Sequence, residues 1–180
     1  MNSPQMELFK NKKINVLLVT DPVDEFWMPM KMKFKDYEFT SITKGEVDID
    51  EKTDQAKDKE EPKENLDFVA YLKENLKDKV KDVKVSKRLT TSACCLVADE
   101  NDMDMHLKKL MAANNQAISD EKRILEINIE HSLVLKVKSL DKDQKDKFSE
   151  ILYDHAKLME GENLDDPKKY TNLIAELVSL

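Results

Sequence analysis

The sequence predicts an α+β fold, a small mixed sheet with amphipathic helices and a C-terminal helical hairpin. Three observations predict it. Short apolar runs of strand length occur at 14–20, 80–86, 93–98 and 123–129. Apolar residues spaced by three and four mark helices around Leu66 to Leu76 and Met103 to Met111. From Phe148 onward the pattern is helical on both sides of Gly161. The 180 residues, 40% of them hydrophobic, suffice for one substantial domain or two small ones.

Asn2-Ser3-Pro4 starts a short helix, with Ser3 as cap, Pro4 in the first turn, and Met6 and Phe9 facing inward. Ile14 to Thr20, apolar and rich in β-branched residues, reads as a buried strand that Asp21-Pro22 ends. A short helix broken near Pro29 follows, and Tyr37, Phe39 and Ile42 suggest an extended piece before Lys44-Gly45. Residues 50–64 are almost wholly charged and polar, with Ala56 the lone apolar residue, and read as a flexible or marginally helical connector.

Leu66, Val69, Leu72 and Leu76 then share a helical face. Val83 and Val85 alternate in one strand, ACCLVA forms another, and the turn around Thr90 to Ser92 makes the two antiparallel neighbours. Met103, Leu107, Leu110 and Met111 form a helical stripe, and Arg123 to Ile129 a further strand. In the last forty or so residues, Phe148, Ile151, Leu152, His155 or Ala156, and Met159 recur at helical spacing. Asp166 caps a second helix with Pro167 in its first turn, and Tyr170, Leu173, Ile174, Leu177 and Val178 give it a wide apolar face. That face needs a partner, either the rest of the same domain or an identical hairpin in a second subunit, which would make a four-helix bundle.

The formal charge of -7 opposes general affinity for nucleic acid or anionic membrane. The cysteines, Cys94 and Cys95, are adjacent and make no disulfide framework, which fits a reducing, cytoplasmic compartment. The longest apolar run, Ala93 to Ala98, is far short of the roughly 20 residues a membrane helix needs.

Little points to catalysis. A thiol from Cys94 or Cys95 paired with His106, His131 or His155 is chemically conceivable, but a strand sends successive cysteines to opposite faces and the histidines lack diagnostic spacing. Neither CxxC nor HExxH is present, and with Gly45 and Gly161 as the only glycines there is no phosphate-cradling loop. The acid pairs Asp24/Glu25 and Asp99/Glu100 read as caps or solvated faces. Methionine is abundant, at nine residues, and Met28, Met30 and Met32 beside Phe26 and Trp27, with Met103, Met105 and Met111, suit either core packing or an adaptable contact surface.

Taken in order, SPQMELFKNKKINVLLVTDPVDEF at 3–26, VKDVKVSKRLTTSACCLVADENDMDMHLKKLMAA at 80–113, LEINIEHSLV at 125–134 and the segment 148–180 resemble the Hsp90 chaperone family, especially its bacterial-type members. The resemblance covers nearly the whole chain. It implies the end of a middle domain at 1–35 and a C-terminal dimerisation domain at 36–180. It favours the second subunit as the partner of the terminal hairpin, giving an intersubunit four-helix bundle with Phe148, Ile151, Leu152, His155, Met159, Tyr170, Leu173, Ile174, Leu177 and Val178 at the dimer interface.

The same resemblance implies client contacts at Phe26, Trp27, Met30, Met103, Leu107, Leu110 and Met111. Partners would be a second copy, partly folded client proteins and co-chaperones, with no nucleic acid and no membrane. Family members hydrolyse ATP, with magnesium, in an N-terminal domain that no segment here matches. This chain is therefore expected to hold no cofactor or metal and to be no enzyme. Thr91 and Ala93 stand where the family often has Asp and Pro, Ile129 and Ser132 where prolines are common, and the chain ends in Leu180 without the acidic tail of eukaryotic cytosolic relatives. An unrelated homodimeric helical interaction module is the alternative.

Overall fold

A computed structural model describes residues 3–19, 21, 23–24, 28, 33–45, 62–99, 102 and 122–180. A 3-10 turn, Pro4–Met6, runs into helix α1, Glu7–Asn11. Pro4 supplies a preset first turn, while the Ser3 hydroxyl makes no cap bond and donates instead to the Gln5 side chain. Phe9 is buried and Met6 half-buried.

The strand expected at 14–20 does not form over the described residues 14–19. Leu17 and Leu18 are 64% and 48% exposed. A strand is stable only when a neighbour completes its ladder and covers one face, and no described strand pairs with this run. The short strands β1, Lys33–Phe34, and β2, Tyr37–Glu38, form an exposed hairpin about Lys35, whose φ of 55° turns the chain. Residues 46–61 lie outside the described residues, but Lys63 and Glu64, assigned above to the connector, already belong to helix α2, Lys63–Asn75.

The inward line of α2 is Phe68 and Leu72, continued by Leu76, with Val69 beside it. Leu66 is 50% exposed, against expectation. It stands about 120° around the axis from Leu72, off the buried stripe.

Strands β3, Asp82–Val85, β4, Cys94–Val97, and β5, Ile124–Ile127, form one sheet in the order β3-β5-β4. β5 pairs parallel with β3, Val83 opposite Leu125, and antiparallel with β4, Leu96 opposite Leu125. The expected β3–β4 hairpin is therefore wrong, because β5 lies between them. The turn residues Thr90 to Ser92 bond a side chain of α1 instead of closing a hairpin.

Both faces of the sheet are covered. Val83, Cys94, Leu96, Leu125 and Ile127 belong to the main core, while Cys95, Val97 and Ile124 join Leu89 on the other side. The outer edge of β4 is occupied too. The Gln5 amide donates to the Leu96 carbonyl at 3.1 Å, and Thr43 and Gly45 bond the backbone of Ala98.

Helix α3, Ser132–Ser139, was not anticipated; the His131 ring accepts the Leu133 N–H at its start, and Val134 and Val137 are buried. Asp141 caps helix α4, Lys142–Met159, by accepting the Gln144 N–H. At its end Gly161 takes a φ of 70°, the Glu162 N–H reaches the Lys157 carbonyl and the Gly161 N–H the Leu158 carbonyl, a Schellman close. Asp166 then accepts the Lys169 N–H at 2.9 Å and Pro167 opens helix α5, Pro167–Ser179, as the sequence predicts. No helix among the described residues is long and apolar enough to cross a membrane.

Candidate functional site

The terminal hairpin divides its apolar residues between the chain's own core and the surface. Phe148, Ile151 and Leu152 on α4 are wholly buried, and Leu173 and Leu177 on α5 are nearly so, all within the main core cluster. Tyr170 and Ile174 are half-buried against that cluster. Val178, by contrast, is 82% exposed, and Met159 is 38% exposed. His155 bridges the two helices, its Nδ1 3.3 Å from the Tyr170 hydroxyl. Burial lowers the pKa of His155, and nearby His131 pushes it the same way.

Ion pairs fasten the hairpin to itself and to the sheet. Lys147 pairs with Glu176 across α4 and α5, and Lys169 bonds Glu150. The Arg123 guanidinium, at the start of β5, grips both oxygens of Glu162 in the α4–α5 turn at 2.6 and 2.7 Å. That bidentate contact ties the hairpin to the sheet's central strand.

A buried polar centre lies on the opposite face of the sheet. Arg88 Nε and Nη2 donate to the two oxygens of Glu126 at 3.0 and 2.9 Å, with both side chains nearly sealed from water. Arg88 Nη1 and Nη2 also donate to the carbonyls of Ile42, at 2.7 Å, and Gly45, and Ser86 donates to Glu126. Arg88 thereby holds the 42–45 segment against β4 and β5. Nothing in the local sequence pattern announces this pair. Glu126 alternates with Leu125 and Ile127, so the local pattern reads it as the strand's solvent face.

Glu7 is a third anchor absent from the sequence reading. Its carboxylate accepts the N–H groups of Thr90 at 2.6 Å, Thr91 at 2.7 Å and Ser92 at 3.1 Å, and the Ser92 hydroxyl. Partial burial acts to raise its pKa, but the Ser92 hydroxyl and the three amides outweigh burial and lower it to about 2.

The thiols have no catalytic setting. Cys94 donates to the Leu152 carbonyl at 3.0 Å, and burial pushes its pKa up to about 12; burial also raises that of Cys95 well above the ordinary range. Both stay protonated and pack on opposite faces of β4. ATP with magnesium does not fit the described residues. Gly161 closes a helix, and no cluster of His, Cys, Asp or Glu among the described residues could hold a metal ion. Phe26, Trp27, Met30, Met103, Leu107, Leu110 and Met111, the expected client contacts, lie outside the described residues.

The Hsp90 protein family model matches residues 1–180. The chaperone protein HtpG of Mycobacterium bovis is 40% identical across 98% of this chain and 29% of its own length. That of Geobacter sulfurreducens is 36% identical across 98% of the chain and 28% of its own length. The chain thus spans less than a third of these relatives, but its likeness to them runs almost from end to end, over the same segments that carry the resemblance in the sequence. It belongs to the Hsp90 protein family.

Proposed function

We propose that the chain is the C-terminal dimerisation and client-binding part of an ATP-dependent chaperone that assists protein folding, with 1–35 the end of a middle domain and 36–180 the dimerisation domain. The observation that carries the reading is the division of α5. Leu173 and Leu177 are spent on the chain's own core, while along the neighbouring line of four-residue steps Tyr170 and Ile174 are half-buried against that core and Val178 is 82% exposed. Docking that line on its copy in a second subunit would build a four-helix bundle and remove apolar surface from water at roughly 25 cal/mol per Å². Phe148, Ile151, Leu152, Leu173 and Leu177 then support the interface by holding α4 and α5 in place, with His155 and Met159 toward its α4 end.

Client proteins bind through Phe26, Trp27 and Met30 and through the stripe Met103, Leu107, Leu110 and Met111. Methionine-rich surfaces suit partners of varied shape because the side chain is unbranched and polarizable. Linking two arms raises the effective concentration of ATPase domains that reside elsewhere in the full-length protein, where ATP and magnesium act. The chain itself turns nothing over. A cytoplasmic location and co-chaperone partners belong to the same proposal.

The client part is tested by diluting a chemically unfolded protein into buffer and following light scattering. The intact chain is expected to suppress aggregation, and a Leu107→Lys, Leu110→Lys variant to lose most of that suppression. Equal behaviour of the two chains, or no suppression by either, contradicts the reading. An unrelated interaction module would dimerise without this preference for unfolded protein.

A further inference from the structure

We propose that Glu7 is a latch: its carboxylate fills an anion-receiving loop formed by Thr90, Thr91 and Ser92 and so fastens α1 reversibly to the segment that leads into β4. The loop is built for such a ligand. Three consecutive backbone N–H groups, joined by the Ser92 hydroxyl, converge on one carboxylate more than eighty positions away in sequence. Successive amides aimed at one point form a concave anion site, and bonds to a charged acceptor are the stronger kind. The Arg88 guanidinium, two residues before Thr90, is turned to Glu126, Ile42 and Gly45, so backbone amides rather than this cation receive Glu7.

The attachment is polar enough to open. α1 is only five residues long, too short to be stable without tertiary support, and Phe9 is its one buried residue. Two further hydrogen bonds tie it to the same segment. The Leu8 N–H reaches the Arg88 carbonyl at 3.1 Å, and Asn11 donates to the Thr90 hydroxyl at 3.0 Å. Just before α1, Gln5 meets the Leu96 carbonyl and Glu160. Thr90 and Thr91 are exposed, so a carboxylate or phosphate from solution has access to the loop once Glu7 leaves. Two residues before the loop stands Arg88, whose side chain holds 42–45 to the sheet. α1 is therefore joined to the segment that bears Arg88 at two points, the Glu7 carboxylate on 90–92 and the Leu8 N–H on the Arg88 carbonyl. This inference does not depend on dimerisation or client binding.

Hydrogen exchange read by mass spectrometry on the intact chain tests it. Glu7→Gln keeps the side chain's size and removes its charge. Peptides covering 4–11 and 89–93 are expected to exchange about tenfold faster in this variant, while peptides covering β5 and α4 stay unchanged. Unchanged exchange at 89–93, or acceleration spread evenly over the whole chain, overturns the latch. In a second variant, Glu7→Ala, added sodium acetate is expected to restore protection at 89–93 but not at 4–11, and sodium chloride of equal ionic strength to restore neither. Absence of any acetate-specific protection overturns the loop's role as an anion receptor.

Discussion

Replacing Arg88 with alanine is expected to lower the unfolding free energy by about 3–5 kcal/mol, the usual cost of leaving one half of a buried ion pair uncompensated. Glu126 sits in the central strand and is 4% exposed, so its charge has no route to water once the guanidinium is gone. The carbonyls of Ile42 and Gly45 lose their donor in the same step. Arg88→Lys keeps the charge but cannot fork across both oxygens of Glu126, and it is expected to fall between the alanine variant and the parent. An Arg88→Met, Glu126→Leu double variant removes both charges together and is expected to recover most of the loss. Urea denaturation of the four chains checks this. A loss below about 1 kcal/mol for Arg88→Ala would mean that the pair is not sealed as described.

Phe148→Ala is expected to cost about 3–5 kcal/mol, the range for emptying a buried aromatic site. Phe148 is wholly buried on α4, which packs on β4, α2, α3 and α5, so the cavity opens where the chain's helices meet its sheet. Val178→Ala is the matched control. With Val178 82% exposed, its truncation should change the stability of a single chain by no more than about 0.5 kcal/mol. Denaturation at low protein concentration separates the two, because any contribution of Val178 through association fades there.

These expectations show what local patterns could and could not convey. Asp166-Pro167 announced the start of α5 because cap and first-turn chemistry are local, and Ile124 to Ile127 announced a strand because the whole run is buried. The order β3-β5-β4 was not legible. Pairing is set by which strand can be covered on both faces, and the turn residues at 90–92 served a carboxylate more than eighty positions away. The apolar run at 14–19 has the composition of a strand but no neighbour among the described residues to complete it. α3 was overlooked although Leu133, Val134, Val137 and Leu140 carry helical spacing, because the preceding strand and a histidine cap gave no familiar start signal.

The candidate site was legible in a different way. Periodicity found the apolar residues of α4 and α5 but could not apportion them, since a helix face wide enough for a core and an interface reads as one stripe. The structure assigns Phe148, Ile151, Leu152, Leu173 and Leu177 to the core. Arg88, Glu126 and Glu7 escaped notice because a charged residue reads as surface unless its partner is known, and each partner is far away in sequence.

In the proposed function the outward face of α5 links two copies. Deleting α5 would be a poor test, since Leu173 and Leu177 belong to the core and their loss would unfold the chain. Val178→Lys with Leu180→Lys is the better variant. Both side chains are exposed, and a cation at a helix C-terminus favours the helix itself. The measurement is sedimentation equilibrium of the parent and this variant across a concentration range. Dimerisation through α5 gives about 42 kDa for the parent, twice the 20.9 kDa of one chain, and 20.9 kDa for the folded variant. A parent that stays at 20.9 kDa throughout the range, or a variant that remains a dimer, would contradict it.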